Sequence, residues 1–171
     1  MNDCQPSSLV DIDDFVTTFT PALNKEQERA FRLIASHTQL GKSDPLRMFL
    51  GGPGGTGKSH VISALKLFFE AQGESRRFRL ASYTGVAAKN ISGMTLHSAL
   101  LLSTTASAKV NSKSRKNLLA MWQGVDYLFI DEVSMLGCRF LLKISRALSQ
   151  AKDNTSPFGE LISFSQGILL N

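Results

Sequence analysis

Gly52-Pro53-Gly54-Gly55-Thr56-Gly57-Lys58-Ser59 satisfies the spacing G-x-x-x-x-G-K-S, whose residue types suit a triphosphate. Glycine leaves room for main-chain N–H groups to curl around phosphate oxygens, and a helix starting at Lys58 adds the partial positive charge of its first turn. Lys58 would reach the outer phosphates, and the Ser59 hydroxyl would be a ligand to Mg²⁺. All eight residues are therefore expected to hold ATP with magnesium. A second set is Tyr127-Leu128-Phe129-Ile130-Asp131-Glu132. A carboxylate at the end of an apolar strand can join Asp131 to the magnesium shell beside Ser59, and Glu132 next to it can orient and deprotonate an attacking water. An acidic pair after a strand also serves as a helix cap, so its catalytic reading depends on the phosphate loop lying nearby.

Those residues need strands that deliver them to one edge and helices that begin there. Leu46 to Leu50 is a short, mostly apolar run entering the glycines, and reads as a buried strand. Val61, Ile62, Leu65, Phe68 and Phe69 recur at helical spacing from Lys58 until Gly73. Upstream, Asn24 and Gln27 have the spacing of a capping box ahead of Ala30, Phe31 and Ile34, and Gly41 to Pro45 breaks that helix. Phe78 to Ser82 and Val125 to Ile130 are further strands, and Leu161 to Ser165 is a fourth. Thr84 to Asn90 suits a turn into a short helix, and Met94 to Leu102 predicts another. Residues 103 to 116 predict a long loop with a helix opening near Ser114, and a last helix runs through Leu136, Leu141, Leu142, Ile144 and Leu148 before a turn over Lys152 to Gly159. Strands alternating with helices predict an α/β fold with a parallel sheet covered on both faces and ligands at the strands' carboxyl ends. Residues 1–20 show no sustained period and read as an arm, leaving 21–171 as one domain.

With 171 residues, 43% hydrophobic, the chain can bury a core of its own. No window has the eighteen or more apolar residues of a membrane span, and the acidic start at Asp3, Asp11, Asp13 and Asp14 is unlike a signal peptide or mitochondrial presequence. An intracellular protein without a membrane partner is expected. Cys4 and Cys138 lack metal-ligand spacing. The net charge of +5, concentrated at Lys109, Lys113, Arg115 and Lys116, suits a polyanionic partner as well as a solvated loop.

Five stretches in order resemble the early motifs of the PIF family of DNA helicases. They are Leu23-Asn24-Lys25-Glu26-Gln27, Gly51 through Ser59, Thr84-Gly85-Val86-Ala87-Ala88-Lys89-Asn90-Ile91, Thr95-Leu96-His97-Ser98 and Ile130-Asp131-Glu132-Val133-Ser134-Met135. The resemblance spans about Leu23 to Gly159 and implies a RecA-like P-loop NTPase domain, the first of two motor domains, truncated after its fourth strand. It implies ATP hydrolysis coupled to movement on single-stranded DNA from the five-prime toward the three-prime end, in repair, recombination or telomere maintenance, and a nuclear location. By the same resemblance Gln27 would bond to the adenine edge. Thr84, Gly85, Lys89 and Asn90 would meet the DNA backbone, and His97 would couple DNA to the nucleotide. Bland alternatives are a capping residue for Gln27, a plain strand-helix turn for Thr84 to Asn90, and a packed histidine for His97.

Two departures bear on activity. Tyr83 stands where the family has proline, and an aromatic there could stack on a base. Gly167-Ile168-Leu169-Leu170-Asn171 aligns with a Gly-Asp-x-x-Gln motif whose acid and amide sense the outer phosphate, and Ile168 cannot form those bonds. With no second motor domain and no arginine finger, slow turnover is expected, and a second motor domain or a full-length relative becomes a candidate partner. A nucleotide- or DNA-binding module without useful catalysis is the competing expectation. A small-molecule kinase would leave the last two motifs as chance.

Overall fold

The computed structural model describes residues 9–41, 45–52, 56–102, 112–160 and 162–167. Its sheet has five parallel strands: β1 (Arg47–Gly51), β2 (Phe78–Ser82), β3 (Met94–Thr95), β4 (Tyr127–Asp131) and β5 (Ile162–Gly167), in the order β1-β5-β4-β2-β3. The helices are α1 (Ile12–Thr18), α2 (Lys25–Gln39), α3 (Lys58–Ala71), α4 (Gly85–Asn90), α5 (Leu96–Ala99), α6 (Ser112–Trp122) and α7 (Cys138–Ala151).

Alternation along β4 divides the core. Tyr127 and Phe129 face one way, into a cluster with Phe31, Ile34, Leu65, Phe68 and Phe69 of α2 and α3. Leu128 and Ile130 face the other, into a cluster with Leu96, Leu118, Trp122, Ile144 and Leu148 of α5, α6 and α7. The sheet is thus covered on both faces, as the strand-helix alternation predicts. All five residues of β4 are buried, whereas β1 has alternately exposed and half-buried positions and pairs with β5.

Four local differences from the sequence pattern have physical causes. Met94 and Thr95 form a strand beside Ala81 and Ser82 rather than opening a helix, so the sheet has five described strands, not four. Gly93 permits that approach, because a Cβ there would lie 2.7 Å from the Leu80 carbonyl oxygen. The helix expected to open near Ser114 begins two residues earlier, at Ser112, and of its residues with described side chains Leu118 and Trp122, one turn apart, are the buried ones. Trp122 Nε1 anchors it by donating to the Ala99 carbonyl at 2.8 Å. A short 3₁₀ turn, Val133–Met135, intervenes before α7, leaving Leu136 outside the helix. Finally, residues 12–18 form a helix capped by Asp11, which accepts from the N–H groups of Asp13 and Asp14. Phe15 of α1 stacks on Phe31 at 5.1 Å and meets Phe68 edge-on at 5.4 Å.

Candidate nucleotide and nucleic-acid site

A parallel sheet points every strand's carboxyl end to one edge, and the sequence-predicted residues collect there. Gly51 and Gly52 leave β1, Asp131 and Glu132 leave β4, and Tyr83 to Gly85 leave β2. Pro53, Gly54 and Gly55 lie outside the described residues, as do Lys109 and residues 168–171. On the far side of the loop, Gly57 has φ 77° and Lys58 opens α3. Lys58 Nζ reaches back over the loop to the Gly52 carbonyl at 2.8 Å.

Gln27 ties the loop to α2. Its Oε1 accepts from Asn24 N–H at 2.9 Å, and Asn24 Oδ1 accepts from Gln27 N–H at 3.0 Å, completing the capping box. Its Nε2 donates to the carbonyls of Thr56 at 3.2 Å and Gly57 at 3.1 Å. Both amide hydrogens are therefore engaged with the loop, and among the described residues Oε1 accepts one hydrogen bond of the two its lone pairs allow. A Cβ at Gly57 would come within 2.5 Å of Nε2, so glycine serves here both the left-handed backbone and this contact. Nothing in the spacing of Asn24 and Gln27 foretells the bridge to Thr56, which depends on how α2 lies across α3.

Beside this bridge lies a cavity of about 740 Å³ lined by Asn24, Gln27, Arg29, Phe49, Gly52 and Lys58 among others. The size is that of small-molecule and cofactor sites. Phe49 and Leu33 on its walls are each 47% exposed, offering apolar surface to a flat ring. Ser59 is exposed on the other side of α3, where it shares a depression of about 290 Å³ with Ile62, Lys66, Asn90 and Ser92. The expected magnesium ligand and one residue of the Thr84 to Asn90 turn are thus neighbours across one cleft.

Asp131 has the parity of Tyr127 and Phe129 and so faces the α3 side of the sheet. It is 7% exposed and accepts from Glu132 N–H at 2.9 Å. Burial raises its carboxyl above the ordinary value and the Glu132 charge adds to that, while the Glu132 N–H and the Lys58 ammonium pull it down. Ser82 Oγ, at the end of β2, donates to the Asp131 carbonyl at 3.4 Å. Glu132 is half-buried in the left-handed region, φ 57° and ψ 41°. A non-glycine residue there is strained by about 1–3 kcal/mol, a feature that clusters at functional sites and that no sequence pattern discloses.

The remaining predicted residues sit further along the same edge. Thr84 caps α4 through Oγ1, accepting from Ala87 N–H at 3.2 Å, and Gly85, Lys89 and Asn90 are exposed. His97 lies in α5, half-buried, against the rings of Tyr83 and Phe140. The Lys58 charge acts on Asp131, Asn90 of the Thr84 to Asn90 turn shares a cleft with Ser59, and His97 lies with Tyr83 and Phe140. Among the described residues there is no group of three or more His, Cys, Asp or Glu side chains that could hold a metal ion.

The family model for PIF1-like helicases matches residues 22–164. The chain belongs to the PIF1-like helicase family. ATP-dependent DNA helicase PIF7 of Trypanosoma brucei brucei is 34% identical over 144 residues, which are 80% of this chain and 13% of the relative. ATP-dependent DNA helicase RRM3 of Saccharomyces cerevisiae is 30% identical over 141 residues, again 80% of this chain and 18% of the relative. Among solved structures, Pif1 helicase from Bacteroides in complex with ADP-AlF3 and ssDNA aligns with TM-score 0.64 and 28% identity, covering 86% of this chain and 32% of that one. The chain thus spans less than a fifth of the PIF7 and RRM3 relatives and 32% of the Bacteroides Pif1 chain, and its architecture is that of a RecA-like domain of the family.

Proposed function

We propose that this chain is the nucleotide-binding motor domain of an ATP-dependent DNA helicase, hydrolysing Mg-ATP in response to single-stranded DNA. What supports this reading is the shared carboxyl edge, where the Lys58 ammonium that closes on Gly52 also acts electrostatically on the buried carboxyl of Asp131, with Glu132 next to it in a left-handed conformation. Around that centre each residue has a role. The loop from Gly52 to Ser59, including Pro53, Gly54, Gly55 and Thr56, wraps the phosphates, and Lys58 neutralises charge on the outer ones. Gln27 keeps the loop on α2 and accepts from an adenine amino group through the second lone pair of Oε1.

The donors for magnesium are the Ser59 hydroxyl and the Asp131 carboxylate. These are hard oxygens of the kind Mg²⁺ selects, and a cation would offset the cost of burying Asp131. An ion held by these two residues would supply charge neutralisation for the phosphates. Glu132 takes the proton from an attacking water, and Glu132→Gln should preserve nucleotide binding while abolishing turnover. On the DNA side, Thr84, Gly85 and Asn90 approach the sugar-phosphate backbone, Lys89 pairs with a phosphate, and His97 lies between that strand and the nucleotide. The PIF7 and RRM3 relatives are DNA helicases by name, which supports the reading that this chain acts on DNA, with a nuclear location as part of the proposal.

Isothermal calorimetry with Mg-ATP, with and without the Lys58→Ala change, tests the centre. We expect binding that Lys58→Ala removes, and hydrolysis that rises on adding single-stranded DNA. Equal heats from the two proteins would reject the site, and turnover indifferent to DNA would reject the motor. Ile168, in place of an acid that senses the outer phosphate, favours a second reading, in which the domain holds nucleotide but turns it over little by itself. Supplying a second motor domain in trans separates the two, since restored turnover belongs to a split enzyme and continued silence to a binding module.

A further inference from the structure

Three rings from three elements meet on the β2 side of the carboxyl edge. Tyr83 follows β2, His97 lies in α5 and Phe140 lies in the first turn of α7. Tyr83 and Phe140 are edge-to-face at 5.2 Å and 78°, His97 and Phe140 are 5.1 Å apart at 34°, and Tyr83 and His97 are 5.9 Å apart at 47°. Edge-to-face contact leaves a ring face uncovered by its neighbour, and Tyr83 is 39% exposed. Val86, the second residue of α4 and three residues after Tyr83, is 75% exposed.

The charge around these rings is one-sided. Arg139 adjoins Phe140 and is exposed, Lys143 is exposed one turn further along α7, and Lys89 is exposed on α4. Neither α4, α5 nor α7 contains a single acid. Glu74 is the nearest acid in sequence to Tyr83, nine residues before it, and Glu132, of the nucleotide centre, is the nearest to Phe140. Supported rings bordered by cations are what unpaired nucleic acid requires, because bases stack on any aromatic face while phosphates take the positive charge.

We propose that Tyr83, backed by His97 and Phe140, is a base-stacking platform for single-stranded DNA, with Arg139 meeting the adjoining phosphate. The proposal rests on the reading of this edge as the DNA-facing one and adds to it the residues that grip bases rather than backbone. Phe140 belongs to α7, which the chain enters four residues after Asp131-Glu132-Val133-Ser134, so a base seated on the platform bears on the element that follows the nucleotide centre. Tyr83 likewise follows Ser82, whose hydroxyl holds the Asp131 carbonyl.

Fluorescence anisotropy on the full chain with a labelled twelve-nucleotide oligothymidine and an abasic oligomer of equal length tests this. Wild type should bind the thymidine strand more tightly than the abasic one. Tyr83→Ala should weaken thymidine binding by about fivefold or more and leave abasic binding unchanged, whereas Tyr83→Phe should retain both. Arg139→Ala should weaken both strands alike and flatten the salt dependence. Circular dichroism melts matching wild type would establish that the exposed Tyr83 was removed without loss of fold. Tyr83→Ala binding both strands as wild type does, or losing both equally, would overturn the platform while leaving the DNA interface intact. Wild type that binds neither strand would overturn the interface and the platform together.

Discussion

Asp131 carries an acid into a nearly dry position, and the sign of the cost can be worked out. Its carboxyl titrates above its unfolded value, chiefly because burial disfavours the charged form. Between the two values the folded state holds the proton more firmly, so this group's contribution to stability falls as pH rises through that window and the penalty is complete above it. Asp131→Asn should therefore raise the melting temperature at pH 7, and the gain should shrink as pH drops below the ordinary carboxylate range. Paired thermal melts at pH 7 and pH 4 check this, and a gain that is constant with pH would point to packing instead. If Asp131 holds magnesium as proposed, the same substitution removes that carboxylate, and tighter folding should come with weaker Mg-ATP binding. Gly93 offers a cleaner steric case. A methyl at that position meets the main-chain carbonyl of Leu80, which cannot swing away. Gly93→Ala should cost about 1–3 kcal/mol in a urea titration.

Among the elements, α1 shows how much a short helix can add when it docks. Phe15 is half-buried between Phe31 and Phe68, Gln39 Nε2 donates to the Val10 carbonyl at 2.6 Å, and His60 Nε2 lies 2.7 Å from the Pro21 carbonyl. Phe15→Ala should cost about 1–3 kcal/mol and speed hydrogen exchange in residues 12–18 before it affects the sheet. Seven residues span two turns, too few for a helical period to emerge from IDDFVTT, which is why α1 is invisible in the sequence while α3, with four turns of apolar spacing, is plain. The same limit explains β3, two residues long. β4 was legible because a strand buried on both faces is apolar throughout. The phosphate loop was legible because its chemistry dictates its residues one by one. The Gln27 bridge, the strain at Glu132 and the Tyr83–His97–Phe140 cluster were not, since each arises from segments that meet only in three dimensions.

For the whole molecule, the two cores on opposite faces of one sheet predict coupled behaviour. A ligand that grips the loop, α2 and β4 together should stabilise everything packed on them. At a Mg-ATP concentration about 100 times its dissociation constant, linkage adds about 2.7 kcal/mol. For a domain of this size that is a rise of about 5–11 °C in melting temperature. Differential scanning fluorimetry should show the rise in wild type and lose it in Lys58→Ala, and a shift surviving that change would mean the nucleotide sits elsewhere.

The order β1-β5-β4-β2-β3 gives β1 a single described neighbour, and that neighbour comes late in the chain. Arg47 waits for Ser163, and Gly51 for Gly167, before either ladder partner exists. Closing so long a loop is slow relative to helix formation. On the ribosome, α2 and α3 would emerge and pair while the strand that aims the glycine loop was still unsupported. A nascent chain should therefore gain nucleotide affinity abruptly, once residues 162–167 clear the exit tunnel, rather than in proportion to the length synthesised.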